Sequence, residues 1–202
     1  MDSSSGVSRL NSANLCSYLS QRASIMWGMS EVPRDFKYAG MEDFVLDRGT
    51  AFKSQRLTES EMDIVFDAIK DSEVKCRQKE CFYNAQILAT TDKTQSLQYV
   101  EGFACGRGLI PVAHAWLSLN GKVVDVTWAP DEHEDATFNR VLGEFPEGWV
   151  YMGVPMDLDV VKMQIVDKRE CSSIILDYQN QFPLLRIQRK NPKPTPFVFP
   201  ES

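Results

Sequence analysis

Asn120-Gly121 is the residue pair that most restricts how this chain folds. It stands between two strand-like runs, 112–119 and 122–128, and both of its residues accept positive φ at low cost. Such a pair closes a two-residue hairpin. With that turn in place the register follows: Leu119 pairs with Lys122, Leu117 with Val124, Trp116 with Asp125 and His114 with Thr127. His114, Trp116, Asp125 and Thr127 then share one face, and Ala113, Ala115, Leu117, Val124 and Val126 make an apolar set on the other. His114 and Asp125 become diagonal neighbours with backbones roughly 7–8 Å apart, a gap that a carboxylate and an imidazole can close. A slip of one residue would undo both results.

A histidine oriented by an acid is the base half of a nucleophilic pair, and the sequence supplies a thiol upstream. Cys81 lies in Glu80-Cys81-Phe82-Tyr83-Asn84-Ala85, where the pattern predicts the start of a helix. Amides and dipole at a helix start favour a thiolate, as does a protonated histidine nearby; Glu80 opposes this if its carboxylate stands close. Cys81, His114 and Asp125 thus have the makings of nucleophile, base and orienting acid. For the oxyanion, the backbone amide of Cys81 is one candidate donor, with the side chain of Gln78 or Asn84 as a second.

Composition limits the alternatives. With 202 residues, of which 43% are hydrophobic, the chain has material for one substantial core and not for two large domains. A formal charge of −6 works against general affinity for nucleic acid, whose phosphates call for a basic face, and leaves a peptide, protein or small molecule as the expected partner. Met1 to Ser8 is polar and serine-rich, unlike a signal peptide, and no apolar run nears the roughly 18 residues of a membrane span. The expectation is a cytoplasmic protein without membrane contact, whose five cysteines are free thiols.

Along the chain we expect a leader at 1–11, one α+β domain at 12–190 and a Pro-rich extended tail at 191–202. Leu15, Leu19, Arg22, Ile25, Met26 and Met29 recur at helical spacing. Residues 30–57 are expected as loop with a short strand at Asp43 to Leu46. Thr58-Glu59-Ser60-Glu61 has the capping-box pattern, with Met62, Val65, Phe66 and Ile69 as the apolar stripe behind it. The Cys81 helix ends near Thr90-Thr91-Asp92. Strands are expected at Leu97 to Ala104, Val112 to Leu119, Lys122 to Trp128 and Trp149 to Val154, a helix at Leu158 to Asp167, and a strand or helix at Ser173 to Tyr178.

Cys81-Phe82-Tyr83-Asn84-Ala85, Tyr99-Val100-Glu101-Gly102, His114-Ala115-Trp116 and Val124-Asp125-Val126-Thr127-Trp128 together resemble the transglutaminase-like and papain-like cysteine protease superfamily, in particular its small bacterial and phage members. The resemblance covers residues 76 to 128, with weaker support from Tyr151-Met152-Gly153-Val154. It implies Cys81 as nucleophile, His114 as base and Asp125 as orienter. The implied core is a helix bearing the cysteine packed on an antiparallel sheet bearing the histidine and aspartate. It also implies acyl transfer through a thioester, the chemistry shared by that superfamily's peptidases, deamidases and transglutaminases, with no cofactor. The arginine-glycine-glycine run of its arylamine acetyltransferases is absent.

Other residues carry two readings each. Trp116 either shields the triad from water or walls a substrate cleft. Glu101 is either a structural hydrogen-bond acceptor or an acid of the site, and Tyr99, on the Glu101 face of a regular strand, can line the same cleft. Cys76, Cys81, Cys105 and His114 lack the second tight knuckle of a zinc site, and Asp131 to Asp135 is expected as a solvated acidic loop, so no metal is assigned. Two functions compete: a cysteine hydrolase or acyltransferase acting on an amide of a peptide or protein, and a protein that keeps the fold without turnover and binds or inhibits a protein partner. The second would suit a phage-encoded factor acting in the host cytoplasm.

Overall fold

A computed structural model describes residues 12–29, 31–73, 75–77, 79–106, 109–127 and 149–187 of the chain. The leader, the acidic loop Asp131 to Asp135, the Pro-rich tail, Gln78 and Trp128 lie outside the described residues.

Five α-helices and five strands are described, in an α+β arrangement. In chain order they are α1 (Ser12–Met29), α2 (Met41–Arg48), β1 (Thr50–Phe52), α3 (Glu59–Ser72), α4 (Cys81–Thr91), β2 (Gln98–Cys105), β3 (Val112–Leu119), β4 (Lys122–Val124), β5 (Val150–Pro155) and α5 (Leu158–Lys168), followed by a 3₁₀ turn at Pro183–Leu185. The sheet is antiparallel in the order β1-β5-β2-β3-β4. It curls until its ends meet: Lys53, just past β1, forms a parallel bridge with Lys122 of β4, its N–H donating to Gly121 O (3.2 Å) and its carbonyl accepting from Val123 N (3.0 Å).

Both faces of the curled sheet are buried, and the alternation along each strand sorts two cores. Tyr99, Phe103, Ala115, Leu117, Leu119, Val124, Val150 and Met152 face the helices, joined by Leu15 and Leu19 of α1, Val65 of α3 and Ala85 and Leu88 of α4. Val100, Ala104, Trp116, Val123 and Tyr151 face inward with Phe52 and Trp149 against them. Each fully buried aliphatic side chain such as Leu117 contributes about 1.5–3 kcal/mol.

The hairpin has the register that Asn120-Gly121 dictates, Leu119 with Lys122 and Leu117 with Val124, and the turn residues sit at φ 53° and 76°. The capping box also forms: Thr58 Oγ1 accepts from Glu61 N (3.3 Å) while Glu61 Oε2 accepts from Thr58 N (2.8 Å). The Glu61 carboxylate reaches further, accepting from Lys122 Nζ (2.6 Å) and Asn120 Nδ2 (3.1 Å). One side chain thereby starts α3 and fastens it to the hairpin turn.

Four expectations are corrected. The segment Asp43 to Leu46 is helix, not strand: an apolar triplet fits either, and Glu42 and Asp43 in the first turn with Arg48 in the last complement the helix dipole. Residues 30–57 also hold β1 and not only loop. The strand expected to run to Trp128 stops at Val124, because the Asp125 carboxylate accepts from Thr127 N (3.0 Å) and bends the chain out of the ladder. Ser173 to Tyr178 forms neither strand nor helix, since its donors turn toward Glu101: Ile174 N (2.8 Å), Ile175 N (3.2 Å) and the Ser173 hydroxyl all donate to that carboxylate.

Candidate active site

Helix α4 begins at Cys81 and enters from an unusual backbone. Lys79 has φ 64°, in the left-handed region that few non-glycine residues occupy, and Glu80 at the N-cap makes no side-chain cap. The first-turn amides of α4 are therefore offered to whatever approaches, the setting an oxyanion needs. The irregular approach is held by Asn84, one turn into the helix. Its Oδ1 accepts from Arg77 N (3.0 Å), and its Nδ2 donates to Arg77 O (2.7 Å) and to Thr127 Oγ1 (2.8 Å).

Thr127 is the joint between helix and sheet. Its N–H donates to Asp125 Oδ1, and the other oxygen of that carboxylate, Oδ2, accepts from His114 Nε2 (2.7 Å) and from the Tyr151 hydroxyl (3.0 Å). The Cys81 thiol is near enough to the same imidazole to raise its affinity for a proton. Cys81, His114 and Asp125 are 9%, 6% and 1% exposed, so the three meet in a largely dry setting.

Burial opposes a charge on His114, but the Asp125 carboxylate and the Cys81 contact outweigh it and raise the imidazole from 6.5 to about 10. Tyr151 is pushed well above its usual value, by burial first and by Asp125 second, so it keeps its proton and stays a donor. Trp116 stacks on His114 (18° between planes, centroids 6.3 Å apart) and Tyr151 packs against Trp116 edge-on. Trp116 is 1% exposed and lies in the inner core behind the imidazole, the place of a water shield.

The remaining candidates divide. Asn84 commits both amide hydrogens to Arg77 and Thr127, so it positions the site and does not serve an oxyanion. Glu101 and Tyr99 share the sheet face of Ala115 and Leu117, not that of His114. Glu101 is fully buried, with its carboxyl raised by burial, and anchors the segment 173–175; the Tyr99 hydroxyl donates to it (3.1 Å) and accepts from Gln86 Nε2 of α4 (3.2 Å). Both therefore brace the cysteine helix on β2. Tyr151 and Thr127 were not among the residues the sequence singled out for the site. Thr127 did fall on the His114 face of the hairpin, whereas nothing local in the sequence places β5 beside β2 and so brings Tyr151 to Asp125.

Among the described residues no three of His, Cys, Asp or Glu gather to hold a metal ion. All five cysteines are free thiols, and no described helix is long and apolar enough to cross a membrane. A cavity of about 350 Å³ lies between α1, α2 and the segment 176–185, lined by Met26, Phe36, Phe182 and Leu185 among others; none of the triad residues borders it. Compared with known proteins, the chain matches no family model, no curated protein and no solved structure.

Proposed function

We propose that the protein is a cysteine-dependent hydrolase or acyltransferase acting on an amide bond of a peptide or protein, built on a papain-like or transglutaminase-like core. The observation that carries this reading is the imidazole of His114, 2.7 Å from the Asp125 carboxylate and raised in proton affinity by both Asp125 and the nearby Cys81. A helix start behind the sulfur and an aromatic shield behind the base support it.

The chemistry follows from those contacts. Nε2 is engaged by Asp125, so Nδ1 of His114 exchanges the proton with the thiol. The thiolate attacks the carbonyl carbon, a C–S bond forms, and the oxyanion draws on the first-turn amides of α4, that of Cys81 among them. His114 returns its proton to the amide nitrogen, the C–N bond breaks and the amine leaves, with the acyl group held as a thioester. Water or an acceptor amine then gives its proton to His114 and takes the acyl group, and the C–S bond breaks. Asp125 holds the ring orientation and the imidazolium charge throughout, with Tyr151 and Thr127 fixing the carboxylate.

Alkylation by iodoacetamide at about pH 6, mapped by mass spectrometry over the five cysteines, tests this. Cys81 should react about tenfold or more faster than the other four and lose that advantage in His114→Ala. Ordinary reactivity at Cys81, indifferent to His114, would favour the competing reading of a fold kept for binding a partner protein.

A further inference from the structure

We propose that the uncharged run Leu109-Ile110-Pro111-Val112 ahead of His114 is the leaving-group subsite of the Cys81 centre, and that it takes an apolar side chain on the residue directly after the attacked amide. This rests on the thiol-nucleophile reading of Cys81 and adds a substrate class to it.

Strand β3 carries a gradient across the site. On the face of His114, Trp116 is 1% exposed, His114 6% and Val112 43%, while Ile110 in the preceding loop is 71% exposed. Successive residues on one face stand about 7 Å apart, so Val112 lies one such step beyond the base. In the chemistry above His114 gives its proton to the departing nitrogen, so the chain attached to that nitrogen lies on the histidine side. From there it has two directions along β3. Toward Trp116 the space is filled by Trp116 itself and by Val100, its partner on β2. Toward Val112 the row continues across Ala104 to Tyr151, but Val112 itself stays exposed at the strand end.

The open end is built to receive apolar surface. No charge interrupts 109–113 in a chain of which 25% is charged, and Leu109, Ile110 and Val112 all present side chains to water. The Leu109 end is fastened: the Cys105 thiol donates to Leu109 O (3.0 Å), and Leu109 N donates to Gly106 O (3.1 Å). Gly106 is itself pressed between Leu109 and the Trp149 ring, where a β-carbon would stand 3.0 and 2.9 Å from them. A ridge already fixed in this way costs little ordering when a side chain docks on it.

The test uses the full chain and a degenerate synthetic peptide mixture, with cleavage positions read by mass spectrometry. Leu, Ile, Val and Phe should be enriched about tenfold at the position after the cleaved bond, the scale of discrimination an apolar contact supplies. The enrichment should fall below about twofold in Ile110→Ser/Val112→Ser and persist in Ile110→Val/Val112→Ile. Ile110→Lys alone, at the most exposed position, serves if the double serine variant does not fold. A flat profile, a preference that survives the serine variant, or no cleavage of any peptide would overturn the subsite. If those results come with Cys81 still showing His114-dependent alkylation, only the subsite falls; if that alkylation is also absent, the thiol-nucleophile reading falls with it.

Discussion

Asn84 donates its side-chain amide to the Thr127 hydroxyl at 2.8 Å, and this bond ties the cysteine helix to the aspartate end of the hairpin. The same amide group clamps the Arg77 backbone on the approach to Cys81. Cys81 and Asp125 are thus registered through one buried side chain.

Asn84→Ala should therefore do two separable things. It removes the side-chain partner of Arg77 N and of the Thr127 hydroxyl and leaves Arg77 O with the Glu80 amide alone, a loss of about 1–3 kcal/mol in urea unfolding. It also frees the start of α4 from the hairpin, so Cys81 alkylation at about pH 6 should slow toward that of an ordinary thiol while the helix content stays. Wild-type stability with wild-type thiol reactivity would refute the clamp.

Gly153 is the floor beneath Trp116. A β-carbon there would stand 2.5 Å from Trp116 Cη2 and 2.8 Å from Glu101 O, one contact with a ring that can shift and one with backbone that resists. Gly153→Ala should cost about 1–3 kcal/mol and disturb the near-ultraviolet signal of the stacked Trp116. Trp116→Phe in the same chain should recover part of the strain, giving a double-mutant cycle short of additivity, because the Glu101 carbonyl remains in the way. Strict additivity would mean that glycine and indole do not meet.

The contrast between these two relationships shows where sequence information ran out. The hairpin was legible because its cause is local: Asn120-Gly121 sets the turn, the turn sets the register as far as Leu117 with Val124, and Asp125 follows at the strand end to meet His114. The capping box at Thr58 was legible for the same reason. Asn84, by contrast, drew notice only as an amide near a cysteine, and its work at Thr127 depends on a contact across 43 residues. Tyr151 reaches Asp125 because β5 inserts between β1 and β2, a choice of strand order that no short pattern records. Ser173 to Tyr178 misled because its apolar residues suit a regular element, while the carboxylate of Glu101, 72 residues earlier, takes its donors.

Glu61 gives the acid limb of stability. Hydrogen bonds from Lys122, Thr58 and Asn120 lower its carboxyl from 4.5 to about 2 in the folded protein. A depressed folded value means that the contribution is fully present above the unfolded value near 4.5 and is lost as pH falls toward 2. The stability gap between wild type and Glu61→Gln should be constant from about pH 7 to pH 5 and shrink steadily below that, in urea titrations at each pH. A gap that does not change with acid would show that the capping box and the Lys122 bridge hold equally well without the charge.

His114 gives the opposite limb, and the sign reverses. Its folded value is raised from 6.5 to about 10, so the imidazolium's contribution is complete below the unfolded value and is lost as pH rises through the folded one. Asp125→Asn removes the charge that sustains it while leaving an oxygen for Tyr151 and Thr127. Burial then acts on His114 without opposition from that charge, and the variant should lose about 3 kcal/mol near pH 6, a deficit that narrows toward pH 10. The chain has two histidines, so in a His133→Gln background a single imidazole remains to be followed by NMR. Its ring-proton shift should stay flat between about pH 6 and pH 8 in that background and titrate within or below this range once Asp125→Asn is added. A wild-type imidazole that titrates near 6.5 would show that Asp125 orients His114 without holding its proton.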